Sequence, residues 1–142
     1  DLVKPALEAA GFSLDFWRVA IKPGKPLLVA TRGQTVVLGL PGNPTSAMVT
    51  ARLFLAPLLA ALQGGDGAGA VRFLPQILAG DLPANGSRET FVRARATEDG
   101  LLPAGNQESG AQAPLAASDW LIRRSIGAAA ARKGDIVRAL RF

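Results

Sequence analysis

Leu40-Pro41-Gly42-Asn43-Pro44-Thr45-Ser46 decides how this chain folds. It separates a strand-like run, Thr35-Val36-Val37-Leu38-Gly39-Leu40, from a long apolar stretch at 47–62. The order strand, tight Gly/Pro turn, helix start is one way in which an α/β layer builds a site for an anion. Gly42 lets a ligand approach the backbone closely. Asn43 suits a helix N-cap, and Pro44 suits the first helical position, where no donor is lost. Backbone N–H groups and the positive end of the helix dipole then face the turn. A lone turn of this kind is more often a plain connection, so its neighbours matter.

Upstream lies Phe16-Trp17-Arg18-Val19-Ala20-Ile21-Lys22-Pro23-Gly24-Lys25-Pro26. Its spacing predicts a strand at 16–21 that runs into a basic Pro/Gly loop. Lys22 and Lys25 bracket Pro23-Gly24, and Arg18, four residues before Lys22, shares its face if the chain is extended. Three cations on one strand and its turn suit an oxyanion or a polyphosphate. A solvated basic sheet edge is the alternative.

With 49% hydrophobic and 19% charged residues, the 142-residue chain has the means to bury a core. It has no cysteine, which excludes disulfides and thiolate metal sites. It has no histidine either, which removes imidazole bases, Ser-His nucleophiles and zinc triads. Chemistry must therefore rest on carboxylates, Lys, Arg, hydroxyls and backbone dipoles. The net charge of +5 favours anionic partners. The arginines are scattered and few aromatics interleave with them, which argues against nucleic acid. Arg52 and Pro57 interrupt the apolar run after Pro44, so it reads as a buried helix rather than a membrane span.

A helix is expected at 2–10, capped by Asp1 and stopped by Gly11, and strands at 16–21, 27–30 and 35–40, the last two as a hairpin. The helix at 44–62 should be covered on nearly every face, with a kink or weak point at Pro57. Residues 63–69 form a glycine-rich linker. Beyond it, strands at 71–78, 89–97, 119–124 and 135–140, separated by Gly turns, suggest a small barrel or sandwich. The organisation is thus 1–64, half of an α/β layer, and 70–142, all-β.

"FWRVAIKPGKP" followed by "GLPGNPTSA" resembles the molybdopterin molybdenumtransferases of molybdenum-cofactor biosynthesis, a family that includes gephyrin-type proteins. "SRETFVRARA" and "GNQESGA" extend the resemblance into the second segment. It implies the C-terminal portion of a longer enzyme: part of a three-layer α/β molybdopterin-binding domain, then a small β-barrel domain. It further implies that molybdate and adenylated molybdopterin react to give molybdenum cofactor and AMP, in a cytoplasmic homodimer, with this portion alone inactive. No nucleic acid or membrane is expected as partner; a gephyrin-like scaffold without catalysis is the alternative.

By this resemblance Lys22 and Lys25 bind molybdate or the phosphates of the pterin, and Arg18 stands where many members carry Lys. Pro41, Gly42, Asn43, Pro44 and Ser46 shape the pocket. Arg93, of a Phe-x-Arg strand, and Ser109, of a Gln-x-Ser turn, are implied molybdate contacts, although Glu108 departs from a Gly found in some relatives. Asp1 and Lys22 are the implied catalytic groups. Asp1 would serve a divalent cation such as Mg²⁺ or a water, its alternative being a helix cap.

Overall fold

The structure is a computed structural model describing residues 2–108, 110 and 112–142. Helix α1 (Val3–Ala9) has Leu2 at its cap position, and Gly11, at φ +78°, ends it as expected. Four short strands follow: β1 (Ser13–Phe16), β2 (Ile21–Lys22), β3 (Leu28–Arg32) and β4 (Thr35–Gly39). The expected hairpin is β3–β4, in register from Leu28↔Gly39 to Arg32↔Thr35, with Gly33 at φ +57° in the turn. β1 pairs on the other side of β3, giving an antiparallel sheet in the order β1-β3-β4.

The single strand expected at 16–21 is a correction. Residues 17–20 lie in no strand, because the Val19 N–H bonds the Lys25 carbonyl at 3.2 Å and folds 19–25 into a loop. β2 then leaves the first sheet altogether. It runs parallel to β6 (Glu89–Thr97), pairing Ile21 with Glu89 and Lys22 with Thr90.

After the Pro/Gly turn the chain runs as one helix from Pro44 to Leu62 in three parts: α2 (Pro44–Thr50), a π turn (Ala51–Leu55) and α3 (Ala56–Leu62). Pro57 has no N–H for the carbonyl four residues back. The break expected there takes the form of the wide π turn just before it, in which the Ala56 N–H reaches the Ala51 carbonyl. By length and composition this helix could cross a membrane, yet its inner stripe belongs to a protein core. Its expected full coverage is also corrected, for only 22% of it is buried. Val49 and Leu53 point inward, whereas Met48 and Leu62 are 53% and 65% exposed.

Past a short 3₁₀ turn (Gly69–Val71), the second segment adds β5 (Leu74–Ile77), β7 (Gly100–Pro103), α4 (Gln112–Ala116), β8 (Trp120–Arg124) and β9 (Ile136–Arg141). Its sheet has the order β2-β6-β8-β9-β5, with β7 also on β6. The strand expected at 71–78 is shorter, and β7 and α4 add to the expected elements. The sheet curls without closing into the expected barrel, because β5 and β7 meet through one isolated bridge, Leu78↔Leu101.

Consecutive residues of β6 and β8 are buried on opposite faces. Val92, Ala94 and Ile122 pack with Leu78, Leu101 and Val137 inside the curl. Phe91, Leu121 and Leu140 pack with Ile21, Val49 and Leu53 on the helix side. The two segments thus share a core. Arg52, from the π turn, fastens the junction by donating to the carbonyls of Ala70 (2.7 Å) and Arg141 (2.8 Å). Burial lowers its pKa from the ordinary arginine value.

Candidate functional site

The two Pro/Gly motifs meet at Gly24. Its φ is +111°, and a Cβ there would come within 3.0 Å of Thr50 Cγ2 on the helix that the second motif starts. Thr50 is fully buried, and its hydroxyl donates to the Ser46 and Ala47 carbonyls at 2.8 and 3.2 Å. Only a glycine lets the basic loop seat this closely. The Lys22–Pro23 peptide bond is cis.

Asn43 caps the helix as the sequence predicts: its Oδ1 accepts the Ser46 N–H at 3.3 Å, and Pro44 fills the first turn. The backbone donors expected to face a ligand are reduced accordingly, since Pro44 has none and Ser46 gives its own to Asn43. Ser46 is itself buried. Pro41 and Gly42 line a cavity of about 400 Å³ together with Trp17, Val3 and Leu28.

The cations expected on one face divide into two groups. The Arg18 guanidinium stacks 4.4 Å from the Trp17 ring, and the Lys4 ammonium lies 5.0 Å from the same ring. This worth-noting pairing of charge and ring is a cation–π contact beside the Pro41-Gly42 turn. Lys22 instead opens, with Pro23, onto a separate cleft of about 750 Å³ walled by the second segment. Lys25 is exposed, its carbonyl accepting from the Val19 and Leu27 N–H groups.

Arg93 is 1% exposed, the largest fully buried side chain among the described residues. Its Nη2 donates to the carbonyls of Asn106 (3.1 Å) and Glu108 (3.0 Å). Burial holds its pKa below the ordinary value. The structure thus brings the Phe-x-Arg strand and the Gln-x-Ser turn together, with Gln107 as the joint. The Gln107 side-chain amide accepts the Arg93 backbone N–H at 3.0 Å and donates to the Arg93 and Ala104 carbonyls at 2.9 and 2.7 Å. It fills the edge of β6 between β2 and β7 as a strand residue would. Sequence reasoning missed Gln107 and Trp17; the fixed Gln in "GNQES" and the aromatic between two cations were the available signals.

Asp1 and Ser109, expected at the site, lie outside the described residues. Among the described residues no group of three carboxylate, histidine or cysteine side chains is arranged to hold a metal ion. Asp1, the residue expected to serve the divalent cation, is not among them.

Residues 1–61 match the family described as "Probable molybdopterin binding domain", and residues 76–142 match "MoeA C-terminal region (domain IV)". The chain therefore joins a molybdopterin-binding module to a MoeA-type C-terminal module. It is 41% identical to the molybdopterin molybdenumtransferase of Synechococcus elongatus, across 78% of this chain and 27% of the relative. It is 38% identical to the molybdenum cofactor synthesis protein cinnamon of Drosophila melanogaster, across 100% of this chain and 25% of the relative. The chain belongs to the molybdopterin molybdenumtransferase family, and spans about a quarter of the length of these relatives. The crystal structure of the molybdopterin biosynthesis MoeA protein from Pyrococcus horikosii shares its fold, with a TM-score of 0.80 at 22% identity over 98% of this chain and 34% of that one.

Proposed function

We propose that this chain serves molybdenum insertion, as part of an enzyme that converts molybdate and adenylated molybdopterin to molybdenum cofactor and AMP. The observation that carries this reading is the seating of the basic loop on the capped helix through Gly24 and Thr50, which fixes Lys22 at the mouth of a cleft. Lys22 and Lys25 then neutralise an oxyanion, while Pro41, Gly42, Asn43, Pro44 and Ser46 give the adjoining wall its shape. Arg18 acts from the Trp17 side. Arg93 and Ser109 serve as further oxyanion contacts in this reading, with Arg93 also holding the 106–108 loop. The protein's part is positioning and charge neutralisation. The pterin dithiolene supplies the sulfur ligands, so a chain without cysteine suffices.

Catalysis by Asp1, serving a divalent cation such as Mg²⁺ or a water, belongs to the same reading. A cytoplasmic homodimer is the setting proposed. The outer edge of β4 and the exposed Met48, Leu59 and Leu62 support association. The scaffold alternative is not favoured, since relatives from Synechococcus elongatus and Haemophilus influenzae are named molybdopterin molybdenumtransferase.

The test is cofactor formation by the full-length enzyme against molybdate concentration. A charge-assisted contact of ~1.5–3 kcal/mol corresponds to a loss of roughly ten- to a hundredfold for Lys22→Ala. Arg138→Ala, an exposed cation on β9, should change little. Lys4 is no neutral control, because it lies over Trp17. Equal effects of Lys22→Ala and Arg138→Ala would remove the basic loop from the site.

A further inference from the structure

We infer that the Asn85–Gly86 peptide is a site of spontaneous modification that the fold holds shut, and that its conversion to aspartate or isoaspartate releases the start of β6. Asn85 is the one asparagine in the chain followed by glycine. In such a pair the Gly86 nitrogen attacks Asn85 Cγ. A bond forms between them, the Cγ–Nδ2 bond breaks, and Nδ2 leaves as ammonia with the proton lost from Gly86. Water then opens the five-membered imide at one of its two carbonyls, giving aspartate or isoaspartate. Asparagine is thermolabile for this reason, and a glycine neighbour, with no Cβ, hinders ring closure least. Gly86 is exposed, in open space. What the cleft binds has no bearing on this chemistry.

The folded chain opposes the attack by fixing the amide that would leave. Asn85 Nδ2 donates to the carbonyls of Arg88 (2.8 Å), Arg124 (2.9 Å) and Ser125 (2.7 Å), and Oδ1 accepts from the Thr90 hydroxyl at 2.8 Å. Only the NH₂ end of an amide can face three carbonyls, so the side chain has a single orientation here. The backbone is held as well. The Asn85 N–H donates to the Ala128 carbonyl at 2.8 Å, and the Gly86 carbonyl accepts from the Gly127 N–H at 2.9 Å. Residues 85–88 are thus laced to 124–128, and Cγ cannot swing onto the Gly86 nitrogen until the lacing opens.

The product cannot remake the clamp. An ionised aspartate only accepts, so it would face the three carbonyls with no proton to offer. Isoaspartate in addition lengthens the backbone by one methylene. The change falls where two pairings begin: Thr90 pairs with Arg124 of β8 on one side and with Lys22 of β2 on the other. One irreversible step in an exposed turn therefore loosens the strand end that positions Lys22.

The experiment is mass spectrometry of tryptic digests after the chain has been incubated at mildly alkaline pH, folded in buffer or unfolded in guanidinium chloride. Cleavage after Arg72 and Arg88 leaves residues 73–88 as one peptide, in which Gln76 is the other side-chain amide. The mass gain of an amide-to-acid change at Asn85 should appear at least about tenfold more slowly in the folded chain, because the turn must open first. Thr90→Val removes the bond to Oδ1 and keeps the side chain's shape. It should speed the folded-state reaction severalfold and leave the unfolded-state rate unchanged. Gly86→Ala should slow the reaction in both states without disturbing the fold, since a Cβ there meets nothing within 4 Å. Asn85→Asp, as the product, should speed amide exchange at Gly127 by about tenfold or more. Equal rates in the folded and unfolded parent, a comparison that needs no variant, overturn the clamp. Unchanged exchange at Gly127 in Asn85→Asp overturns the release.

Discussion

Gly24→Ala tests whether the basic loop truly rests on the helix. The new Cβ would fall within 3.0 Å of Thr50 Cγ2 and 3.3 Å from Ile21 Cδ1, in a backbone at φ +111°. The backbone strain costs ~1–2 kcal/mol and overpacking a filled core a further ~1–3 kcal/mol. The single variant should therefore lose about 2–5 kcal/mol. Thr50→Ser removes the offending methyl while leaving the hydroxyl that bonds the Ser46 and Ala47 carbonyls. On its own it should cost ~1 kcal/mol, the worth of one buried methyl. Independent effects would sum to about 3–6 kcal/mol in the double variant. In the double variant, however, the alanine methyl occupies the vacated space, and only the backbone strain of ~1–2 kcal/mol remains. The two changes should thus couple by about 2 kcal/mol or more. Urea unfolding of the four proteins, with m values compared, measures this directly. Additivity within ~0.5 kcal/mol would mean that the loop and the helix do not touch here, and the assembled site would go with it.

Asp81 and Asp99 carry an acid-dependent share of stability. The Lys133 N–H and then the Arg132 side chain hold the Asp81 pKa below its ordinary 3.8, and Lys133 Nζ does the same for Asp99. A lowered folded-state value means stability that is complete above the ordinary value and lost as pH falls through the lowered one. Thermal midpoints should therefore drop below about pH 4 in the parent and drop less in Asp81→Asn; parallel profiles would contradict this. Arg52→Met keeps the apolar stem but strips two bonds that join the helix to Ala70 and Arg141. It should cost about 1–3 kcal/mol, the partly exposed setting taken into account, and speed amide exchange near 69–71 and 141–142. Unchanged exchange there would show that Arg52 does not fasten the two segments.

What the sequence carried was local. The β3–β4 hairpin, the Asn43 cap, the Gly11 stop and the run of β6 all rest on neighbours within a few residues, where alternation and turn chemistry act. Residues 17–20 and β2 escaped because a two-residue strand has no period to read, and its partner, Glu89-Thr90, lies almost seventy positions away. The same non-locality hid the coverage of the long helix: composition counts apolar residues but does not say how much sheet is available to cover them. Arg52 read as an interruption, although its bonds to 70 and 141 make it a clasp. For Arg93 the resemblance implies a molybdate contact, without any sign of how deep the residue lies. Its burial follows from β6 being central, with cores on both faces, and no strand pattern signals that for a charged residue.

One edge of β6 explains why the candidate site needs both segments. Along it lie β2 at residues 89–90, the Gln107 amide at 93 and β7 from 94 onward. Lys22, paired with Thr90, stands three residues from Arg93 along that strand, roughly 10 Å at ~3.3 Å per residue. The basic loop therefore takes its position from two contacts of different origin: Gly24 against Thr50 within the first segment, and Lys22 against Thr90 in the second. Neither is sufficient by itself. A two-residue parallel pairing is too short to hold a loop without the packing at Gly24, and that packing fixes the loop's height on the helix without directing Lys22 toward the cleft. The Gln107 amide closes the remaining stretch of edge, so that Arg93 and the 106–108 loop sit at a set distance from Lys22. Charge placement at this site is thus a property of the shared sheet, which is why its two halves could be recognised separately in the sequence but not assembled from it.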